Sequence, residues 1–388
     1  MELTLEAYRN IVKNVGNRAD IATLCGVSRG FRRVAERALY NTLFMRNDGE
    51  TTILCNTLAN SPRLAAHVDA LTILLSEEDD DSDSEDKDED FDESDDEKPA
   101  PIEMDWRSVA RALEKTVYLR YLNIHINNGT TSAVSWTLEH ATFQLRRFHC
   151  DFDWDRDLVR FLDSQTKLED LYIQDYKESD ESSTPTTSEP LPQSLRLGPS
   201  SVSELSTLEC TFSEAAMALV PGRPITHLKT CFSQTKADAK KDEMNKLLSR
   251  IGASTRPFRS LDIADSSYTE SFSMEMLSAI ADRRALVREL RHLGTFVLPI
   301  DGRERLQFYG LLMRFPQIRS VEFEVSEWQP PPSSPAALRA LASELRLYNP
   351  SITKVVFVHD FDRSVVTAVD GICRVDPEIS TDLLWREK

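Results

Sequence analysis

"LRYLNIHIN", Leu119 to Asn127, places an apolar residue at Leu119, another three positions on at Leu122 and another two after that at Ile124, then ends on a small polar residue. Apolar residues alternating with polar ones over a short run make a strand with one buried face. Outward from this stretch the figure returns. Ten segments fit it, with first positions at Val68, Leu119, Leu145, Leu168, Leu205, Ile225, Phe258, Val287, Ile318 and Ile352. Nine of the ten end on Ser, Thr, Asn or Asp, more than loose hydrophobic patterning would give. In this register Thr230 and His292 take apolar positions, which makes the segments from Ile225 and Val287 the weakest.

Stretches of helical period separate the segments. Trp106, Val109, Ala110, Leu113 and Val117 fall on one stripe, as do Met244, Leu247, Leu248 and Ile251. Phe308, Leu311, Leu312 and Phe315 make another, and Leu338, Leu341, Ala342 and Leu345 a fourth. A strand, a turn and a helix, repeated, predict an α/β chain of parallel strands in which each unit hides its apolar face by stacking on the next. The pattern resembles the leucine-rich-repeat family, whose signature is L-x-x-L-x-L-x-x-N/C. That resemblance implies an irregular solenoid with parallel strands and outer helices, with a first repeat over 47–75 and the rest over 102–360. From Leu119 on, first positions lie 20 to 37 residues apart, so the units are uneven. An ordinary α/β domain with a parallel sheet shares the alternation and is the rival reading.

Of the net charge of −18, −15 sits in Glu77 to Glu97, which holds 16 acidic residues and one lysine. The rest is close to neutral and lacks a Lys/Arg run, so the footprint of a nucleic-acid binder is missing. The acidic run has too little apolar surface to offset ordering, and disorder is expected over 76–101. Ser82 and Ser94, each with an acidic residue three positions on, fit sites of an acidophilic kinase. Lys177 to Ser203, rich in Ser, Thr and Pro, is expected to loop out, and "WQPPPSSP", Trp328 to Pro335, to link a strand to the last helix. Residues 361–388 are expected to form a C-terminal cap or tail. No apolar run nears the roughly 20 residues that span a bilayer, and "MELTLEAYRN" is no signal peptide. Together with six cysteines that form no C-x-x-C pair, this predicts a soluble intracellular protein, cytoplasmic or nuclear, with buried free thiols.

Motifs for chemistry are missing. The seven histidines make no H-E-x-x-H pair, His149 and Cys150 fall on opposite faces of a strand, and 12 glycines supply no phosphate loop. "DFDWDRD", Asp151 to Asp157, lacks the closing Glu of a calcium loop and reads as a solvated turn. No catalytic residue, cofactor or metal is therefore expected, and the chain is read as a non-enzyme.

"LTLEAYRNIVKNVGNRADIATLCGVSRGFRRVAERALYNTLF", Leu3 to Phe44, reads as three short helices. Tyr8, Ile11, Val12 and Val15 line the first, Ile21, Leu24 and Val27 the second, and Phe31, Val34, Ala38 and Leu39 the third, which Ser28 caps. The motifs "LTLEAY", Asp20-Ile21, "VSRGF" and "AERALY" resemble the F-box at the head of fungal F-box proteins, with Thr4 where that family has proline and Gly26 where it has a helix former. The resemblance implies a module over 1–46 that docks on the Skp-type adaptor of a cullin ubiquitin ligase. Its adaptor-binding residues would be drawn from Leu3, Leu5, Tyr8, Ile11, Val12, Ile21, Leu24, Val27 and Phe31, with Leu5 and Ile11 foremost. The implied function is a non-catalytic substrate-recognition subunit, monomeric outside the complex. Its repeats would bind a protein target on the strand-lined concave face, where Arg120, Asn123, Arg146, Glu169, Lys229, Arg259, Glu289, Arg319 and Lys354 point outward. The alternatives are a helical cap on a ligase-independent scaffold, or a binder of histones and other basic proteins, as in the acidic leucine-rich nuclear phosphoproteins that the composition also resembles.

Overall fold

The computed structural model describes residues 3–75, 104–126, 134–174, 195–265, 267, 269–332 and 334–387. The acidic run with Ser82 and Ser94, and the insertion through residue 194, lie outside the described residues. Among those described, thirteen strands and thirteen helices make a mixed α/β chain whose strands are mostly parallel. The described residues fall into two compact units, the first made of those up to 168 with 195, the second of those from 169 to 174 and from 196 on.

The first unit opens on α1 (Leu5–Lys13), α2 (Arg18–Val27) and α3 (Arg29–Tyr40). Thr4, Asn17 and Ser28 precede them and accept hydrogen bonds from the backbone N–H groups of Ala7, Ala19 and Phe31 at 3.3, 2.9 and 3.2 Å, so each helix starts on a side-chain cap. In α3 the buried alanine is Ala35, four residues after Phe31, and Ala38 is exposed. The chain then runs straight into β1 (Thr42–Met45), which pairs in parallel with β2 (Ala70–Leu74), Leu43 opposite Leu71 and Met45 opposite Ile73. Tyr40, Leu43 and Met45 thus repeat the strand spacing, an eleventh copy inside the stretch read as helical. β3 (Tyr121–His125) and β4 (Arg147–Cys150) continue the parallel order. α4 (Asp48–Asn60) and α5 (Pro62–Ala65) link β1 to β2. α6 (Trp106–Lys115) leads into β3 and meets α4 through an Arg111–Asn56 hydrogen bond of 3.0 Å. It ends at Thr116, so Val117 leaves the predicted stripe and is exposed. α7 (Arg156–Ser164) comes after β4.

In the second unit β5 (Asp170–Ile173), β6 (Thr207–Cys210), β7 (His227–Cys231), β8 (Ser260–Ala264), β9 (His292–Val297), β10 (Ser320–Glu324) and β11 (Lys354–His359) lie side by side in chain order, all parallel. The helices between them are α8 (Ser213–Leu219), α9 (Ala237–Ile251), α10 (Glu270–Ala281), α11 (Arg284–Val287), α12 (Gly302–Leu312) and α13 (Pro335–Tyr348). "WQPPPSSP" links β10 to α13, as predicted. β12 (Asp362–Val369) then turns back antiparallel on β11, and β13 (Ile372–Val375) pairs antiparallel with β12.

One backbone device sets the register. The carbonyl before each strand accepts from two successive N–H groups of the next: Ser206 from Thr226 and His227, Thr226 from Arg259 and Ser260, Arg259 from Arg291 and His292, Arg291 from Arg319 and Ser320. With leading edges pinned in this way, ladder residues such as Leu205, Leu208, Ile225, Leu228, Phe258, Leu261, Ile318 and Val321 all point into the core and are buried.

β9 departs from the sequence reading. The inward residues are Leu290 and Leu293, three positions beyond Val287 and Leu290, and the pairing with β10 shifts after Val321 so that Phe296 faces Phe323. An irregularity of this kind puts one extra residue on the bulged strand and re-aims the side chains beyond it. His292 is therefore no ladder residue. It sits on the outward face between Ser260 and Ser320, and the outward residue of the leading edge is Arg291 rather than Glu289.

Candidate functional site

Two surfaces carry the residues singled out from the sequence. On α1–α3, the ring of Tyr8 meets Phe31 edge-on at 4.6 Å between centroids. It also covers Gly30, where an added Cβ would lie 2.5 Å from the Tyr8 ring, so a side chain at position 30 would expel that ring. Val12 is buried, while Leu5, Ile21, Leu24 and Phe31 are half-buried. Leu3, Ile11 and Val27 remain 51%, 40% and 62% exposed. The trio therefore buries Val12 and half-buries the Tyr8–Phe31 ring pair, while Leu3, Ile11 and Val27 stay open to solvent. Thr4 caps α1, and α2 runs on through Gly26 to Val27, where an added Cβ at position 26 would meet nothing within 4 Å.

The outward face of the second unit is occupied by the chain itself. After β13, residues 376–387 fold back over the strands. Leu384 and Ile379 pack on Val356 and Val358 of β11 and Val365 of β12. Trp385 is buried, with Lys229 Nζ 6.0 Å from its ring centre and the Arg386 guanidinium 4.5 Å from it. Arg386 pairs with Asp170 on β5 and with Glu209 on β6, the latter at 2.6 Å, while Glu387 accepts from Lys354 on β11 at 2.5 Å. β6 and β11 are five strand steps apart, about 24 Å along a flat sheet, yet adjacent residues reach both. The segment thus lies across the outward face of this unit, from β5 and β6 to β11. Lys229 and Lys354, read from the sequence as outward residues open to a target, are engaged within the chain.

Beneath lies a row of buried polar side chains. Asp262 rests against Gly294, where an added Cβ would collide with its Oδ1. Glu322 accepts from Thr295 at 3.1 Å and pairs with Arg363 at 3.1 Å, and His292 Nδ1 lies 3.0 Å from Ser320 Oγ. Ser260 Oγ, Asp262 Oδ1 and His292 Nε2 have no hydrogen-bond partner among the described residues. Burial, with repulsion from Glu322 added, pushes the Asp262 carboxyl up to about 7, and burial holds the His292 imidazole down to about 3.

These shifts act on stability in opposite senses. Asp262 takes up its proton more readily in the folded chain, so its contribution is full below about pH 3.8, its ordinary value, and is lost as pH rises to about 7. His292 contributes fully above its ordinary 6.5 and loses this as pH falls towards 3. Asp262→Asn should therefore gain stability over the unaltered protein on going from pH 4 to pH 8, on the order of 1–4 kcal/mol. Thermal unfolding at a series of pH values reads this directly, and parallel profiles for the two proteins would exclude it.

The "DFDWDRD" turn is not simply solvated. Asp151 accepts from the Ile126 N–H at 2.5 Å, and Asp155 caps α7 through the Leu158 N–H at 2.9 Å. Trp154 is buried and donates from its ring N–H to the Leu195 carbonyl at 2.9 Å. All six cysteines are free thiols, and burial raises those of Cys55 and Cys210 to about 12. Among the described residues no three His, Cys, Asp or Glu side chains cluster as metal ligands, and no helix is long and apolar enough to cross a membrane. No protein-family model matches the chain, and no curated protein matches it significantly.

Proposed function

We propose that the chain is a non-catalytic substrate-recognition subunit of a cullin-type ubiquitin ligase. α1–α3 dock on the Skp-type adaptor in the manner of an F-box, and the strands and helices behind them form an irregular leucine-rich-repeat solenoid that holds a protein target. The observation that carries this reading is the fringe of Leu3, Ile11 and Val27, apolar side chains left in solvent while Val12 is buried. Parallel strands in unbroken chain order within each unit support the solenoid, since each strand hides its apolar face only by stacking on the next.

Immobilised adaptor should capture the intact protein at both moderate and high salt, because apolar contacts are not screened. Ile11→Asp with Val27→Asp should weaken capture by at least about tenfold, more than about 1.4 kcal/mol, while leaving the melting temperature within a degree or two. Val12→Asp should instead unfold the helical trio. If the unaltered protein is not captured at all, the reading fails and a ligase-independent scaffold replaces it.

A further inference from the structure

The segment that lies across the outward face of the second unit is bound by ligand-like contacts of mixed kind. Its aliphatic Leu384 packs on Val356 and Val358, its cation Arg386 is shared by two carboxylates, Asp170 and Glu209, and its acid Glu387 lies on Lys354. We propose that this face is a peptide-docking groove held by an internal stand-in, and that it takes a partner protein segment of the same chemistry: an aliphatic residue, an aromatic, an arginine and an acid in succession. The inference rests on the target-binding half of the reading above and not on adaptor docking.

Two observations favour exchange over a fixed cover. The contacts holding residues 384–387 are largely side-chain ones, and none of these residues belongs to a strand of the sheet, so its release leaves every strand pairing intact. The stand-in is also an incomplete fit, since Ser260 Oγ, Asp262 Oδ1 and His292 Nε2 stay unpaired in the floor of the groove. Unpaired buried polar atoms are costly. A partner segment that reaches them gains hydrogen bonds which the stand-in does not make, and this lets it compete against a tethered rival of high effective concentration.

The test uses the full chain carrying Trp385→Ala and Arg386→Ala, with a fluorescent peptide of this protein's own residues 379–388 as probe. The peptide should bind the double variant at least about tenfold more tightly than the unaltered protein, whose groove is occupied, and adding Glu209→Arg should abolish the gain. Hydrogen exchange on the unaltered protein is the second arm: amides of 384–387 should exchange well before those of β7–β10. Equal peptide binding to both proteins, or exchange of 384–387 only on global unfolding, overturns the proposal and makes the segment a permanent part of the core. If the double variant does not fold, the exchange arm decides. Ile11→Asp with Val27→Asp should leave peptide capture unchanged, and the groove variants should leave adaptor capture unchanged, so the two readings fail separately.

Discussion

Lys240→Met should cost about 3–5 kcal/mol of stability, measured by urea unfolding at neutral pH. Lys240 lies on α9 with only 5% of its side chain exposed, its Nζ 2.6 Å from Asp265 Oδ1, 2.8 Å from Ser267 Oγ and 4.9 Å from the centre of the Phe272 ring. Methionine matches the length and fills the channel, so packing is kept and the loss is electrostatic. The variant keeps a buried carboxylate at Asp265, 3% exposed and deprived of its only cation within salt-bridge distance among the described residues. Removing one partner of a buried pair is far more damaging than removing both, because the survivor still bears the cost of leaving water. Lys240→Met with Asp265→Leu should therefore recover most of the loss. A single variant that costs less than about 1 kcal/mol would mean that water reaches Asp265.

That pair also shows where sequence reading stops. The stripe Met244, Leu247, Leu248, Ile251 was legible from its spacing, and Lys240 lies one turn earlier on the same stripe, so a lysine aligned with a buried face was a signal within reach. Its partner was not, since Asp265 lies 25 residues on, beyond β8. The strand ladder was legible for the same local reason, because a period of two needs only a few consecutive residues to declare itself. β1 falls outside the ten copies because "TLFM" is contiguous with α3, in a stretch that reads as three helices with a strand-like apolar end, although Leu43 and Met45 carry the spacing. The groove segment was invisible in kind. Arg386 meets residues 177 and 216 positions away, and nothing periodic in "LLWREK" announces a fold-back. On α1–α3 the sequence marked the apolar positions but not their direction, and of the two foremost residues Ile11 points to solvent while Leu5 is half-buried.

The register of β9 gives the second large effect and a direct way to decide between the regular ladder and the irregular one. In the regular reading Thr295 ends the segment and Phe296 falls outside it. In the structure Phe296 enters the core, its ring 6.3 Å from Phe308 on α12, which lies 5.6 Å from Phe323 on β10, which in turn lies 6.2 Å from Phe357 on β11. Four aromatic rings thus run across three strands and a helix, and Phe308, fully buried, touches two of those strands. Phe296→Ala and Phe308→Ala should each cost about 3–5 kcal/mol, since the surrounding strands are held by backbone bonds and are slow to collapse on a cavity. Made together they should cost less than the sum, because the two rings line one space. Thr295→Val should cost only about 1 kcal/mol, losing its bond to Glu322 while Glu322 keeps Arg363. Were the regular register correct, the order would reverse, with Phe296→Ala almost neutral. A strand can be placed by its period, but its register past an extra residue is decided by which side chain the neighbouring core has room to hold.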